Sequence, residues 1–391
     1  MLSLTDRAAM IDRGPPLSLM TWNWQQADWP HFSWNPASLR NAEPQFLLEA
    51  GEISGMVKHL QGEEREQFTI ESMSREAVTT SEIEGEILDR ASVQSSIRKQ
   101  LGLAVEERRA KPGEQGIAEM MVDLYRRFAE PLSTDMLFAW HAMVLRGRRD
   151  LKDIGRYRTS AEPMRVVSGA LYAPKVHFEA PPASAVAAEM SRFVEWFNRT
   201  APAGGEPLPS LTRAGIAHLY FVSIHPFEDG NGRLARAISE KAMSQSLRRP
   251  ALIAMAAAIL ARRKSYYRAL DAASRNNEVT DWLAWFAETA IEAQRQALAG
   301  IGFLLGKARL LDGLRGQLNV RQEKALLRMF REGPQGFQGG LSAGKYAGIT
   351  GASPATTTRD LADLVTKGAL TRKGELRHAR YYLALSPPGS G

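Results

Sequence analysis

The stretch HPFEDGNGRLAR, His225 to Arg236, restricts this chain more than any other twelve residues in it. It closes a strongly apolar helical run, LTRAGIAHLYFVSI. The two glycines of Gly230-Asn231-Gly232 permit positive φ and let backbone come close to a ligand. A helix beginning near Arg233 turns its free N–H groups and the positive end of its dipole toward that loop, an arrangement that binds phosphate. Arg233 and Arg236, three apart, emerge on one helical face. Each guanidinium grips a phosphate through paired hydrogen bonds. Asp229 is the better metal-binding acid of the Glu228–Asp229 pair, a hard carboxylate of the kind Mg²⁺ uses beside phosphate oxygens. His225 is the group here whose unperturbed pKa lies near neutrality, suited to take a proton from a hydroxyl that attacks phosphorus. Phe227 reads as a buried anchor. A lone His-Pro or a lone Gly-Asn-Gly is a turn in most proteins; all these elements in this order point to a site that holds a polyphosphate and moves a proton.

Composition narrows the rest. With no cysteine among 391 residues, disulfides and thiolate chemistry are excluded, which fits a cytoplasmic protein. No run approaches the roughly 18 apolar residues of a membrane span, so no membrane partner is expected. The N-terminal MLSLTDRAAMIDRGPP breaks its apolar runs with charges and does not read as a secretory signal. From Arg315 onward there are twelve Lys/Arg against five Asp/Glu, an excess equal to the whole net charge of +7. A basic C-terminal module raises DNA contact as a function, with a solvated basic surface as the plainer reading.

The expected fold is mainly α. Trp22, Trp24 and Trp34 in the leader MTWNWQQADWPHFSWN fall on even positions, which predicts short strands or a hairpin covering a core. Helix is expected from about 44 to 100, then a charged linker at 106–116, then helix through IAEMMVDLYRRFAE. Ser133, Thr134 and Asp135 cap the next helix, on whose apolar face His141 reads as a core histidine. Residues 164–168 and 172–178 flank a Gly-Ala tip and predict a β-hairpin. Helices follow at 183–200, 211–224, 251–263, 265–274 and 280–296. After Leu318 the order helix, helix, turn, helix, short β-wing is that of a winged helix-turn-helix. The domains are drawn at 1–110, 111–300 and 315–391.

The stretch resembles the signature of Fic-domain proteins, H-x-F-x-[DE]-G-N-G-R-x-x-R, with every fixed position present. The resemblance runs from about Leu132 through Glu292 and includes the hairpin and the later SYYRALDAA and DWLAWF segments. The tryptophan-rich leader is similar to that of bacterial Fic proteins with a C-terminal winged helix. It implies a protein adenylyltransferase that moves AMP from ATP to a Ser, Thr or Tyr hydroxyl of a target protein and releases pyrophosphate. On that resemblance His225 is the general base and Asp229 binds Mg²⁺. Gly230, Asn231 and Gly232 form the anion hole, Asn231 helping to hold the α-phosphate. Arg233 then contacts the β-phosphate and Arg236 the γ-phosphate. The hairpin, about 164–178, becomes a flap that adds a target segment as an extra strand. Tyr266 is an adenine neighbour by position, although Ser274 stands where the family often has Asn. A homodimer is the expected assembly.

Far upstream, Thr79-Thr80-Ser81-Glu82-Ile83-Glu84-Gly85 resembles the family's inhibitory-helix pattern [ST]-x-x-x-E-[GN], with Thr80, Glu84 and Gly85 in register. The resemblance implies a helix over about 79–92 whose Glu84 pairs with Arg236 and denies it to the γ-phosphate. The same glutamate implies a reverse, AMP-removing activity. Two alternatives stay open: a DNA-binding regulator whose Fic domain is a sensor, with Thr356, Thr357, Thr358 and Arg359 on the recognition helix, or a Fic enzyme that uses another nucleotide.

Overall fold

The computed structural model describes residues 21–60, 62–104, 109–170, 173–333 and 336–385. The N-terminal stretch read for a secretory signal, and Tyr172 at the start of the expected second strand of the hairpin, lie outside these residues. The protein is mainly α, with fourteen α-helices and two small antiparallel sheets among the described residues. The chain divides into two compact units, one of residues 1–51 and 69–295, the other of 52–68 and 296–391. Among the described residues no helix is long and apolar enough to cross a membrane.

In chain order, α1 (Ala42–His59) and α2 (Gly62–Ile83) precede α3 (Arg90–Gln100), α4 (Pro112–Arg127) and α5 (Thr134–Val144). The hairpin β1 (Arg165–Ala170) and β2 (Ala173–Glu179) follows, then α6 (Ala183–Arg199), α7 (Ser210–Ile224) and α8 (Asn231–Leu247). After them come α9 (Met255–Ala261), α10 (Arg263–Ala273) and α11 (Thr280–Gly313). The centre is α7 against α8, with nearly all of α7 buried. Phe193, Phe197, Tyr220, Phe221 and Phe227 interlock there edge-on or tilted, the geometry that aromatic quadrupoles favour. Gly215 lets Leu283 and Phe286 of α11 close on α7, because a Cβ there would lie 2.7 Å from the leucine methyl. The hairpin has a bulge between Val166 and Val167, both exposed.

Four local expectations are corrected. The tryptophan leader is not a hairpin. It forms two 3₁₀ turns, Asn23–Gln25 and Pro36–Leu39, and contributes one isolated bridge, Ser33 to Glu278. Its side chains satisfy its own backbone, Gln25 accepting from Trp22 N–H and Asn23 from Trp24 N–H, so no strand partner is needed. Trp22 is nonetheless buried edge-on against Phe178 at 5.3 Å. The linker at 106–116 is helical from Pro112 onward, because Pro112 starts α4 and the buried Glu114 caps it by accepting from Lys111 N–H at 2.7 Å. The helix expected over 79–92 is instead two helices, broken after Ile83 where Gly85 sits at φ 86°. The helix at 251–263 shortens to α9, with Leu252 and Ala254 left-handed before it.

The second unit carries α12 (Val320–Arg331), α13 (Ala343–Thr350), α14 (Pro354–Thr366) and the sheet β3 (Leu370–Lys373) with β4 (Arg380–Leu383). Asn319, Ser342 and Ser353 cap the three helices. Leu326, Phe330, Tyr346, Leu361 and Leu364 fill its core. On α14, Thr358 and Arg359 are exposed, while Thr357 is buried.

Candidate active site

The site forms where α7 gives way to α8. His225 ends α7 in the left-handed conformation, φ 50° and ψ 60°, its N–H still donating to Phe221 O. That twist, followed by Pro226, turns the chain out of the helix. Phe227 is fully buried and stacks on the His141 ring at 4.0 Å. His141 is the core histidine expected: Gly155 N–H donates to its Nδ1, so Nε2–H donates to Asp229 O. Burial holds its pKa down at about 4, which keeps the ring neutral. Gly230, at φ 83°, then opens α8, whose first-turn N–H groups have no acceptor within the helix.

The side chain of His225 is half-buried. Nδ1–H donates to Val222 O at 3.3 Å, which leaves Nε2 as an acceptor with no partner among the described residues. Burial, aided by the Arg158 cation, lowers the pKa of this imidazole to about 4. The ring is therefore a neutral base at physiological pH.

The two acids of the motif have separate tasks. Glu228 accepts from the N–H groups of Lys152 and Asp153 and so fixes a neighbouring loop. Asp229 pairs with Arg148 at 2.7 Å and with Arg233 at 3.4 Å. Burial acts to raise the Asp229 pKa, but the Arg233 cation, the Gly230 N–H and Arg148 outweigh it and hold the carboxyl below its ordinary range. Asn231 turns its side-chain amide inward, accepting from Phe227 N–H at 3.0 Å and donating to Phe227 O at 2.8 Å. Its side chain therefore shapes the loop, and the backbone amides are the groups left for an anion.

Both arginines are at least nineteen-twentieths buried, and both are held by the end of α2 and the segment after it. Arg236 donates from Nη2 to Glu84 at 2.6 Å and to Thr80 O at 3.0 Å, and from Nε to Thr80 Oγ1 at 2.6 Å. Glu84 lies so close over the first turn of α8 that a Cβ on Gly232 would sit 2.2 Å from its Oε1. Arg233 donates from Nη1 to Glu86 at 2.7 Å. Even so, Arg233 Nε and Arg236 Nη1 have no hydrogen-bond partner among the described residues. Buried donors in that state are costly, and they fit a site built for an anion richer in oxygens than two carboxylates.

Tyr266 is in the core, its hydroxyl 2.9 Å from His218 Nε2 and its ring 5.6 Å from Trp285. The exposed neighbour is Tyr267, whose hydroxyl donates to Ile83 O at the end of α2. Ser274 bonds back to Asp271 O, and its carbonyl accepts from Asn23 N–H. Residues not anticipated from the sequence are Arg148, Arg158 and Glu86, and for Thr80, which the sequence pattern did single out, its direct contact with Arg236.

Residues 131–243 match the Fic/DOC family, and residues 22–103 match a domain of unknown function, DUF4172. That Fic/DOC match includes the whole His225–Arg236 stretch. The chain is 30% identical over 143 residues to protein adenylyltransferase fic-1 of Caenorhabditis briggsae, covering 37% of this chain and 24% of that one. The Caenorhabditis elegans protein of the same name is 30% identical over 145 residues, covering 37% and 25%. The chain thus aligns with about a quarter of the length of these curated relatives. A crystal structure of a Fic family protein from Desulfovibrio desulfuricans G20 shares the fold with a TM-score of 0.51 at 22% identity, covering 90% of this chain and 97% of that one.

Proposed function

We propose that this protein transfers AMP from ATP to a hydroxyl of a target protein and is held in check by its own Glu84. The observation that carries this reading is a conjunction within one loop and one helical turn. A neutral imidazole with an open Nε2 stands beside a helix N-terminus and two buried guanidiniums, each with one unpartnered donor. The relatives named as protein adenylyltransferases support the choice of nucleotide and reaction.

In the proposed reaction His225 Nε2 takes the proton of the target hydroxyl as its oxygen attacks the α-phosphorus. The bond between the α-phosphorus and the bridging oxygen breaks, and pyrophosphate leaves with that oxygen. The α8 N-terminus and Arg233 stabilise the charge that gathers on the phosphates. Asp229, held ionised, is the residue that would bind Mg²⁺. No cluster of three acids or histidines lies among the described residues, so phosphate oxygens and water would complete the shell, as Mg²⁺ commonly accepts. Bound there, the ion would neutralise phosphate charge. The target would lie along β1–β2, where exposed Val166 and Val167 present an edge for a strand of either sequence or origin.

The test is incorporation of labelled AMP into the protein itself and into candidate targets, using Glu84→Gly and the double variant Glu84→Gly/His225→Ala. Incorporation in the first and its loss in the second is expected. Undiminished incorporation without the imidazole would refute the assignment. A panel of nucleotides read by mass spectrometry identifies the base transferred.

A further inference from the structure

Arg158 is 3% exposed and lies on the segment between α5 and β1. Its Nε donates to His225 O at 2.8 Å, and its backbone N–H donates to Pro226 O at 3.0 Å. Its Nη2 donates to Pro181 O, just past the end of β2. Among the described residues its guanidinium meets no carboxylate. A buried cation satisfied by carbonyls alone is an expensive choice for a purely structural role.

The surroundings make this arginine a fixed point. Asp153 accepts from Thr159 N–H and Oγ1–H and from Arg156 Nε, which pins the chain on both sides of it. Gly155 is tied through His141 to Asp229 O. The base of the hairpin is anchored in turn by Ala180 N–H to Met164 O. His225 itself is a non-glycine residue in left-handed conformation, a state that persists only where neighbours over-determine it. The two carbonyls that follow its Cα and that of Pro226 are the ones Arg158 holds. With those carbonyls held, the ψ angle of His225 and the exit of the chain from α7 are set, so the imidazole projects from a fixed backbone.

We propose that Arg158 is a positioning residue that sets the His225 imidazole and ties it to the base of the β1–β2 hairpin. One guanidinium then aligns the base with the hydroxyl that the hairpin presents. This rests on the transfer reaction proposed above. It adds a residue that contacts neither nucleotide nor target.

The experiment uses the full chain carrying Glu84→Gly, alone and with Arg158→Lys, Arg158→Gln or Arg158→Ala. Three quantities are measured: affinity for a fluorescent ATP analogue, the rate of AMP incorporation at saturating ATP, and Tm. Nucleotide affinity within twofold of the parent is expected in all three variants. The incorporation rate should fall at least tenfold in the Gln and Ala variants and less in the Lys variant, which keeps one cationic donor. Added methylguanidinium should restore part of the rate of Arg158→Ala and leave that of Arg158→Gln unchanged. An unchanged rate overturns the inference. So does a parallel loss of rate and nucleotide affinity, or unfolding of both the Lys and Gln variants, since each assigns Arg158 to general structure. A parent Glu84→Gly protein that binds no ATP would instead remove the transfer reading itself, and this inference with it.

Discussion

Replacing Glu84 by glycine should raise activity and lower stability together. Arg236 is 3% exposed and its partner Glu84 30% exposed, with 2.6 Å between them. A hydrogen bond to a charged group contributes about 1.5–3 kcal/mol, and the partial exposure of Glu84 argues for about 2 kcal/mol. At about 1.4 kcal/mol per factor of ten, freeing Arg236 for a phosphate should increase AMP incorporation by about 30-fold. The same removal leaves a buried guanidinium with Thr80 alone. The stability loss should be about 1–2 kcal/mol, a fall in Tm of about 2–6 °C for a unit of this size. Labelled-AMP incorporation and thermal unfolding on the same preparations test both signs. Activity within twofold of wild type, or a gain in activity accompanied by a rise in Tm, would refute the idea that this ion pair is the brake.

Three further outcomes are expected. Glu86→Gln should release Arg233 and add about two- to fivefold to the incorporation seen with Glu84→Gly, because its pair is 42% exposed on the carboxylate side and contributes about 0.5–1 kcal/mol; a lower rate in the double variant would show that Glu86 assists catalysis. Asp229→Asn should cost about a hundredfold in incorporation, about 3 kcal/mol of the several a Lewis acid supplies, and should abolish the response to added Mg²⁺; an unchanged magnesium titration would remove Asp229 as the ligand. Burial raises Glu76 to about 7, and burial together with the Glu76 charge raises Glu240. Below about pH 4.5 both carboxyls are protonated whether the chain is folded or not; as pH rises the unfolded chain releases its protons first, so stability should fall through neutral pH. Tm should therefore be lower at pH 8 than at pH 5, with a flatter profile in Glu76→Gln, and an identical slope in that variant would acquit the pair.

How legible the protein was depended on how far apart in the chain the cooperating groups lie. His225, Asp229, Gly230, Gly232, Arg233 and Arg236 belong to one helix end, one loop and one helical turn. Helical spacing and glycine φ angles bring such neighbours together whatever surrounds them. The mainly α fold and the hairpin were readable for a similar reason, since each element's hydrophobic period or turn chemistry is local. The leader's alternating tryptophans misled because side chains two residues apart can satisfy backbone groups in a 3₁₀ turn as well as in a strand.

What the sequence by itself determined is therefore the chemistry: an imidazole, a glycine-lined helix start and two guanidiniums in fixed order. What only the tertiary structure decided is how those groups are held. Glu86 reaches Arg233 across 147 residues, Arg148 reaches Asp229 across 81, and Arg158 reaches His225 across 67. The inward turn of Asn231 and the burial of Tyr266 likewise emerge only once α7 and α8 are packed. Contacts of that kind depend on which helices close on which, and no local pattern encodes that choice, because it comes from the packing of the whole core.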